Sequence, residues 1–182
     1  MVKIEGYDVP NRLEELTIEQ FDKLNNIENS QDLDSIEKWV YKFVYLGVPE
    51  DVFDDMEVAK LLDYAKEYNV EVEVPKEKVS SIVIDGYTYE AKESIGVKDM
   101  SLIEKSWKRN IGNFASDAMA VLFKRSDLSR TEHYTNAHLK QKAKLFRSQK
   151  ALLAVPYVTN IIQTLTNTVE NEVTESLESN NG

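Results

Sequence analysis

The sequence of 182 residues contains no cysteine, six glycines, four prolines and two histidines. Without cysteine the chain forms no disulfide, thiol nucleophile or cysteine-ligated metal site, and this fits a reducing cytoplasm. The few glycines include neither a dinucleotide-binding nor a Walker phosphate loop. No apolar run approaches the roughly 20 residues that span a bilayer, and the N-terminus lacks the apolar core of a secretory signal. We therefore expect a soluble, cytoplasmic protein without membrane contact.

The residue patterns that accompany catalysis and metal binding are also missing. No serine lies in a Gly-x-Ser-x-Gly or Ser-x-x-Lys context. His133 and His138 are five positions apart, which fits neither adjacent helical turns nor a zinc pattern. The acidic residues between Glu50 and Glu57 lack the glycine and spacing of a calcium loop. We expect no enzyme, no metal and no cofactor, and interpret these residues as polar surface and helix caps.

A short phrase occurs twice in this sequence. VKIEGYDV at residues 2–9 is echoed by IVIDGYTY at residues 82–89, with the acidic-Gly-Tyr core displaced by 80 positions. An acidic-Gly pair between alternating residues predicts a tight β-hairpin. With a slip of one residue the match continues, because LTIEQF at 16–21 aligns with IGVKDM at 95–100. Each copy therefore predicts a hairpin followed by an amphipathic helix.

Further helices are predicted from apolar spacing and capping residues. Thr17 and Gln20 form a capping box for a helix over about 18–27, and Asp32 or Asp34 caps the next one, which Gly47 ends. Helical patterns continue to about residue 68, around 98–109 and 114–123, and from Ala137 onwards, where Pro156 is expected to kink or interrupt the helix. Residues 70–75 alternate like a strand and 126–136 resemble a loop. The prediction is an α+β protein, mainly helical, with a long C-terminal helix.

Charge divides the chain more sharply than its net value of −10 suggests. Residues 1–75 hold 7 basic and 19 acidic side chains, whereas residues 105–150 hold 11 basic and 3 acidic ones. We interpret the organisation as an acidic module (1–75), a second module with the basic region (76–169) and an acidic flexible tail (170–182). The opposite charges either attract each other or face partners, and surface decoration is an equally good explanation.

Two surfaces are candidates for binding a partner. Lys140, Lys144 and Arg147 share one face of a predicted helix, which suits either an acidic protein or phosphates. Ile161, Ile162 and Leu165 form an apolar stripe that is either core or a docking surface for another helix. A nucleic-acid-associated protein is therefore an alternative, as a DNA binder through residues 105–150 or as an acidic DNA mimic through residues 1–75.

The opening hairpin, ending in Pro10, leads into LTIEQFDKL at residues 16–24 and later Gly47-Val48-Pro49. Over about the first 50 residues this pattern resembles the tail and baseplate assembly chaperones of tailed bacteriophages. The resemblance implies a helper or component of virion assembly, acting in the infected bacterial cytoplasm and possibly retained in the virion. Its expected partner is another phage structural protein, such as a tail, tape-measure or baseplate component. It implies no catalytic residue.

Overall fold

The computed structural model describes residues 1–68, 77–108, 112–128 and 135–179, with side chains in the last helix as far as Thr166. The fold is α+β and mostly helical, as the sequence predicts. In chain order the described elements are β1 (Val2–Ile4), β2 (Tyr7–Val9), α1 (Ile18–Asn29), α2 (Ser35–Tyr45), a 3-10 turn (Glu50–Phe53), α3 (Val58–Tyr68), β3 (Ser81–Ile84), β4 (Tyr87–Ala91), α4 (Val97–Lys108), α5 (Phe114–Leu122), β5 (Phe123–Arg125), α6 (Asn136–Arg147) and α7 (Ala151–Ser179).

Both repeated phrases form the predicted hairpins. Ile4 pairs with Tyr7 across one turn, and Ile84 pairs with Tyr87 across the other. Both residues of each two-residue turn have positive φ, at 47° and 92° in the first and 51° and 79° in the second. This is the backbone of a type I′ turn, which matches the twist of the strands it joins. The duplication therefore extends from the sequence to the turn geometry.

The two hairpins belong to separate sheets. The first remains a two-stranded sheet, whereas β5 pairs antiparallel with β4 and makes the second three-stranded. Phe123, which the sequence places at the end of a helix, begins β5 instead and is fully buried. The added strand gives the second hairpin the support that an isolated hairpin lacks in water.

The helices of the first half begin at the predicted caps. The Thr17 hydroxyl accepts from the Gln20 N–H and the Gln20 side chain accepts from the Thr17 N–H, which completes the capping box of α1. Of the two candidates for the α2 cap, Asp34 performs it and binds the N–H groups of Ile36 and Glu37. Gly47, with a φ of 107°, follows the end of α2. The predicted strand at 70–75 lies outside the described residues.

Helix α5 is the centre of the fold. It packs against α1, α4, α6 and α7, and seven of its nine residues are buried. Small side chains make this close approach possible because three of the buried residues are alanines, at positions 115, 118 and 120. The helix after Gly112 is therefore buried over most of its surface.

The long C-terminal helical region is divided at residues 148–150 and continues through Pro156. At this division, residues 149–151 pair antiparallel with residues 16–18, through one bridge between Thr17 and Lys150. Pro156 is the sixth residue of α7 and is buried. Because it lies just past the first turn, only the Leu152 carbonyl loses a helical donor. Of the two effects predicted for Pro156, a kink or an interruption, the interruption is wrong, and the break occurs at residues 148–150, where the backbone pairs with residues 16–18.

Helix α7 contributes to two hydrophobic cores. Ala151 and Val155 complete the core of the first half. Ala154, Val158 and Ile161 belong to the core around α5. Helix α7, which begins in the second sequence module, therefore packs with both halves of the chain. Among the described residues, no helix combines the length and apolar character required to cross a membrane.

Candidate functional site

A cleft of about 620 Å³ lies between α1, the end of α4, the start of α5 and α7. Its wall combines amide and hydroxyl groups with aromatic and aliphatic side chains. The polar part comes mainly from three asparagines of α1, and the apolar part includes Trp107 and Phe114, whose rings meet edge to face at 5.4 Å. The polar residues are Asp22, Asn25, Asn26, Asn29, Ser106, Lys108 and Thr159.

Asp22 lies at the inner edge of this cleft and caps α5 from another helix. Its carboxylate accepts hydrogen bonds from the Ala115 N–H at 2.6 Å and the Ser116 N–H at 3.1 Å. Asn113, the residue in the N-cap position, makes no side-chain cap. The helix dipole favours a negative charge here. Asp22 therefore serves as the N-cap that the local sequence of α5 lacks.

Burial sets the protonation of Asp22. Only 4% of the residue is exposed, and this burial raises the pKa of Asp22 to about 6. The N–H groups of Ala115 and Ser116 oppose that rise, whereas the nearby Asp117 carboxylate adds to it. Both oxygens of the Asp22 carboxylate already accept hydrogen bonds from backbone N–H groups. This geometry fits a structural role for Asp22 better than a catalytic one.

The remaining cleft groups include two further constrained positions. The Ser106 hydroxyl donates to the Asp117 carboxylate at 2.6 Å, which ties α4 to α5. Gly112, with a φ of 40°, lies so close to Asn26 that an added Cβ would be 2.5 Å from its amide nitrogen. No histidine lies in the described lining of this cleft, and no group of three metal-binding side chains occurs in the described part of the chain. The cleft offers hydrogen bonds without an evident reaction centre.

The basic residues proposed as a partner surface lie on α6. Lys140 and Lys144 are exposed, and Arg147 is half-buried with its Nε atom lacking a hydrogen-bond partner. None of the three forms an ion pair with a described residue. His138 is exposed on the same helix, and His133 lies outside the described residues. The two lysines are thus available to an external partner.

The apolar stripe of α7 divides between the core and the surface. Ile161 is 4% exposed and packs in the core around α5, and Leu165 packs against that core from its edge. Ile162 is 38% exposed and lines the cleft. The stripe is therefore partly core, and Ile162 is the most accessible of these three residues. Val169 and Val173, which extend it, lie where side chains are not described.

Sequence reasoning did not identify the cleft or Asp22. One signal was present, since Asp22 lies four positions after the buried Ile18 and hence on the same face of α1. A carboxylate on a buried face must find donors, but the sequence does not reveal that they come from residues 93 and 94 positions away. Comparisons with protein-family models, curated proteins and solved structures found no match.

Proposed function

We propose that this protein is a non-enzymatic protein-binding module in bacteriophage tail or baseplate assembly, acting as a chaperone or structural adaptor. It would act in the cytoplasm of the infected bacterium and either leave the partner or remain in the virion. The resemblance of the first 50 residues supports this class. The structural observation that carries the proposal is the pattern of its ion pairs.

The opposite charges of the two modules do not neutralise each other in the described part of the chain. The ion pairs that link two described residues join residues of the same half, such as Lys60 with Glu5 and Arg125 with Asp127. The acidic surface of the first half and the side chains of Lys140 and Lys144 on α6 are consequently exposed to solvent. Separated charge of this kind steers association with a complementary partner.

Helix α7 provides a second means of contact. Its last buried residue with a described side chain is Ile161, and the helix continues to Ser179. Eighteen residues of helix after Ile161 extend about 27 Å. An amphipathic helix of this length can lie in the groove of another protein. We propose that the acidic face and this helix together cover an apolar or basic surface of a structural protein until it assembles.

Coexpression with neighbouring tail genes tests the function. We expect the protein to copurify with one structural protein as a complex that survives size-exclusion chromatography. A chain ending at Thr166 should fold, since the described core residues all precede that position, yet it should lose most of the complex. Recovery of the full chain alone, with every neighbouring tail protein soluble without it, would contradict the proposal.

A second candidate is a nucleic-acid-associated protein. Lys140 and Lys144 are exposed one turn apart on α6, and lysines so placed can contact phosphates. Retardation of DNA that weakens with salt and disappears in a Lys140→Glu/Lys144→Glu variant would favour a DNA binder. If residues 1–75 compete with DNA for binding to a DNA-binding enzyme, this would favour an acidic DNA mimic. Neither behaviour is expected of the assembly protein.

A further inference from the structure

The segment that leads into the helix of each repeat has different surroundings in the two copies. In the aligned sequences Leu16-Thr17-Ile18 corresponds to Ile95-Gly96-Val97. Each triplet follows a type I′ hairpin and ends at the first residue of a 12-residue helix. The buried hairpin positions also correspond, since Val2, Ile4 and Val9 match Ile82, Ile84 and Tyr89. The two triplets therefore occupy equivalent positions in the two repeats, and their surroundings can be compared directly.

In the first copy the connection between α6 and α7, residues 149–151, pairs with this place. The Ile18 N–H donates to the Gln149 carbonyl at 2.8 Å, and the Ala151 N–H donates to the Leu16 carbonyl at 2.9 Å. The pairing is antiparallel. Leu16 and Ile18 are 6% and 0% exposed. Residues 149–151 thus satisfy two backbone groups of the triplet, and both of its apolar side chains are buried, Leu16 in the core of the first half and Ile18 in the core around α5.

In the second copy the equivalent place is uncovered. Ile95 is 43% exposed and Val97 is 90% exposed. No described residue forms a hydrogen bond with the Val97 N–H or the Ile95 carbonyl. These are the same two backbone groups that residues 149–151 satisfy in the first copy. The second copy therefore presents a short apolar edge with a free donor and a free acceptor.

This uncovered segment is nevertheless held in place. The Gly96 N–H donates to Asp99 at 3.3 Å, and Asp99 pairs with Lys92 at 2.8 Å. The Lys92 and Asp99 side chains are only 15% and 16% exposed. The Lys92 N–H also donates to the Leu122 carbonyl at the end of α5. An edge that is already ordered loses little conformational entropy when a partner binds.

We propose that residues 95–97 bind an extended segment of a partner protein, which pairs with them antiparallel as residues 149–151 pair with residues 16–18. The segment donates to the Ile95 carbonyl, accepts from the Val97 N–H and places a side chain of alanine size against the helix start. This is strand addition at a short edge. The inference rests on the proposed function because it takes the occupant to be a protein partner.

The occupant is assigned to another protein rather than to a second copy of this chain. The one segment that the structure shows filling such a place, residues 149–151, is already engaged in its own first copy. If residues 149–151 of one molecule paired with residues 95–97 of another, they would cover Ile95 and Val97 there. They would also leave Leu16 and Ile18 of their own molecule uncovered. A partner segment adds two hydrogen bonds and buries apolar surface without that loss.

A peptide with the sequence of residues 147–155 is a direct probe, titrated into the full-length protein and followed by amide NMR. We expect chemical shift changes centred on residues 95–97. The variant Val97→Asp should bind at least tenfold more weakly and still fold, because the side chain that it replaces is exposed. Val58→Asp is the matched control, since Val58 also begins a helix and is 54% exposed. It should leave binding unchanged.

Several results would overturn the inference. Shift changes confined to residues 16–18, or equal binding by Val97→Asp and the unchanged chain, would show that residues 95–97 are not the site. Concentration-dependent dimerisation abolished by Val97→Asp would assign the place to a second copy. Coexpression separates this inference from the proposed function, because a tail protein that copurifies equally well with Val97→Asp supports the function and contradicts the site.

Discussion

Asp22 in α1 caps a helix that begins 92 residues later, through a hydrogen bond of 2.6 Å from the Ala115 N–H to its carboxylate. Helix ends leave several N–H groups without partners, and α5 is too deeply buried for water to satisfy them all. The contact joins the first repeat to the central helix and so fixes both the fold and the inner wall of the cleft.

Replacing Asp22 should therefore destabilise the whole protein. We expect Asp22→Ala to lower the free energy of unfolding by about 2–3 kcal/mol at pH 5, below the pKa of Asp22, because two buried donors lose their acceptor. Asp22→Asn, which keeps one amide oxygen, should lose less. Urea denaturation measures both. Asp34→Ala removes an exposed cap and should cost about 1 kcal/mol, so an equal loss at both sites would contradict the role of burial.

The titration of Asp22 should make the free energy of unfolding depend on pH. Burial raises its pKa to about 6 from an ordinary 3.8, so the folded state binds the proton more tightly than the unfolded state. The resulting stability is fully present below pH 3.8 and is lost as the pH rises through 6. The loss is on the order of 3 kcal/mol.

Comparison with Asp22→Asn isolates this titration from those of other groups. The variant lacks the ionising carboxyl, so the difference in unfolding free energy between it and the unchanged chain should vary between pH 4 and 7. Urea titrations at half-unit intervals would reveal this. Parallel curves for the two proteins would mean that Asp22 titrates near its ordinary pKa.

Lys42 should stabilise the first half mainly through its aliphatic stem. Only 8% of the residue is exposed, and its ammonium lies 4.1 Å from the Trp39 ring centroid and contacts Glu28. Lys42→Met keeps most of the buried stem and should cost less than 1 kcal/mol. Lys42→Ala should cost about 2 kcal/mol. Thermal unfolding distinguishes them, and equal losses would show that the charge dominates.

The two type I′ turns should respond differently to asparagine. Asp85 has a φ of 51°, and asparagine tolerates this conformation well. We expect Asp85→Asn to stabilise the protein by about 0.5 kcal/mol. Glu5→Asn should gain less, because Glu5 accepts from Tyr64 at 3.0 Å and pairs with Lys60. Differential scanning calorimetry measures both, and a larger gain at Glu5 would contradict this account.

Local patterns in the sequence predicted the local structure well. The acidic-Gly turns, the Thr17 and Gln20 capping box and the apolar spacing of the helices each depend on residues within a few positions of one another. β5 was not predicted, because Phe123 continues the apolar pattern of α5 and residues 123–125 become a strand only by pairing with β4. The function, partner and binding residues stay predictions.

The features that sequence analysis missed depend on contacts between distant segments. Thr17 approaches Lys150, which places the helix break at 148–150 rather than at Pro156. Asp22 approaches Ala115, which creates the inner edge of the cleft. No pattern among neighbouring residues predicts either contact, since the residues of each pair are far apart in the sequence, by 93 positions for Asp22 and Ala115. Both the cleft and the uncovered segment at 95–97 became visible only through the tertiary structure.

The participation of α7 in both cores has a consequence for synthesis on the ribosome. The first half is translated early, but Ala151 and Val155, which complete its core, are translated late. Until they emerge, Leu16 and its neighbours lack part of their packing, and the nascent chain exposes apolar surface. Stable folding of the first half is therefore expected only after residues 151–155 have left the ribosome.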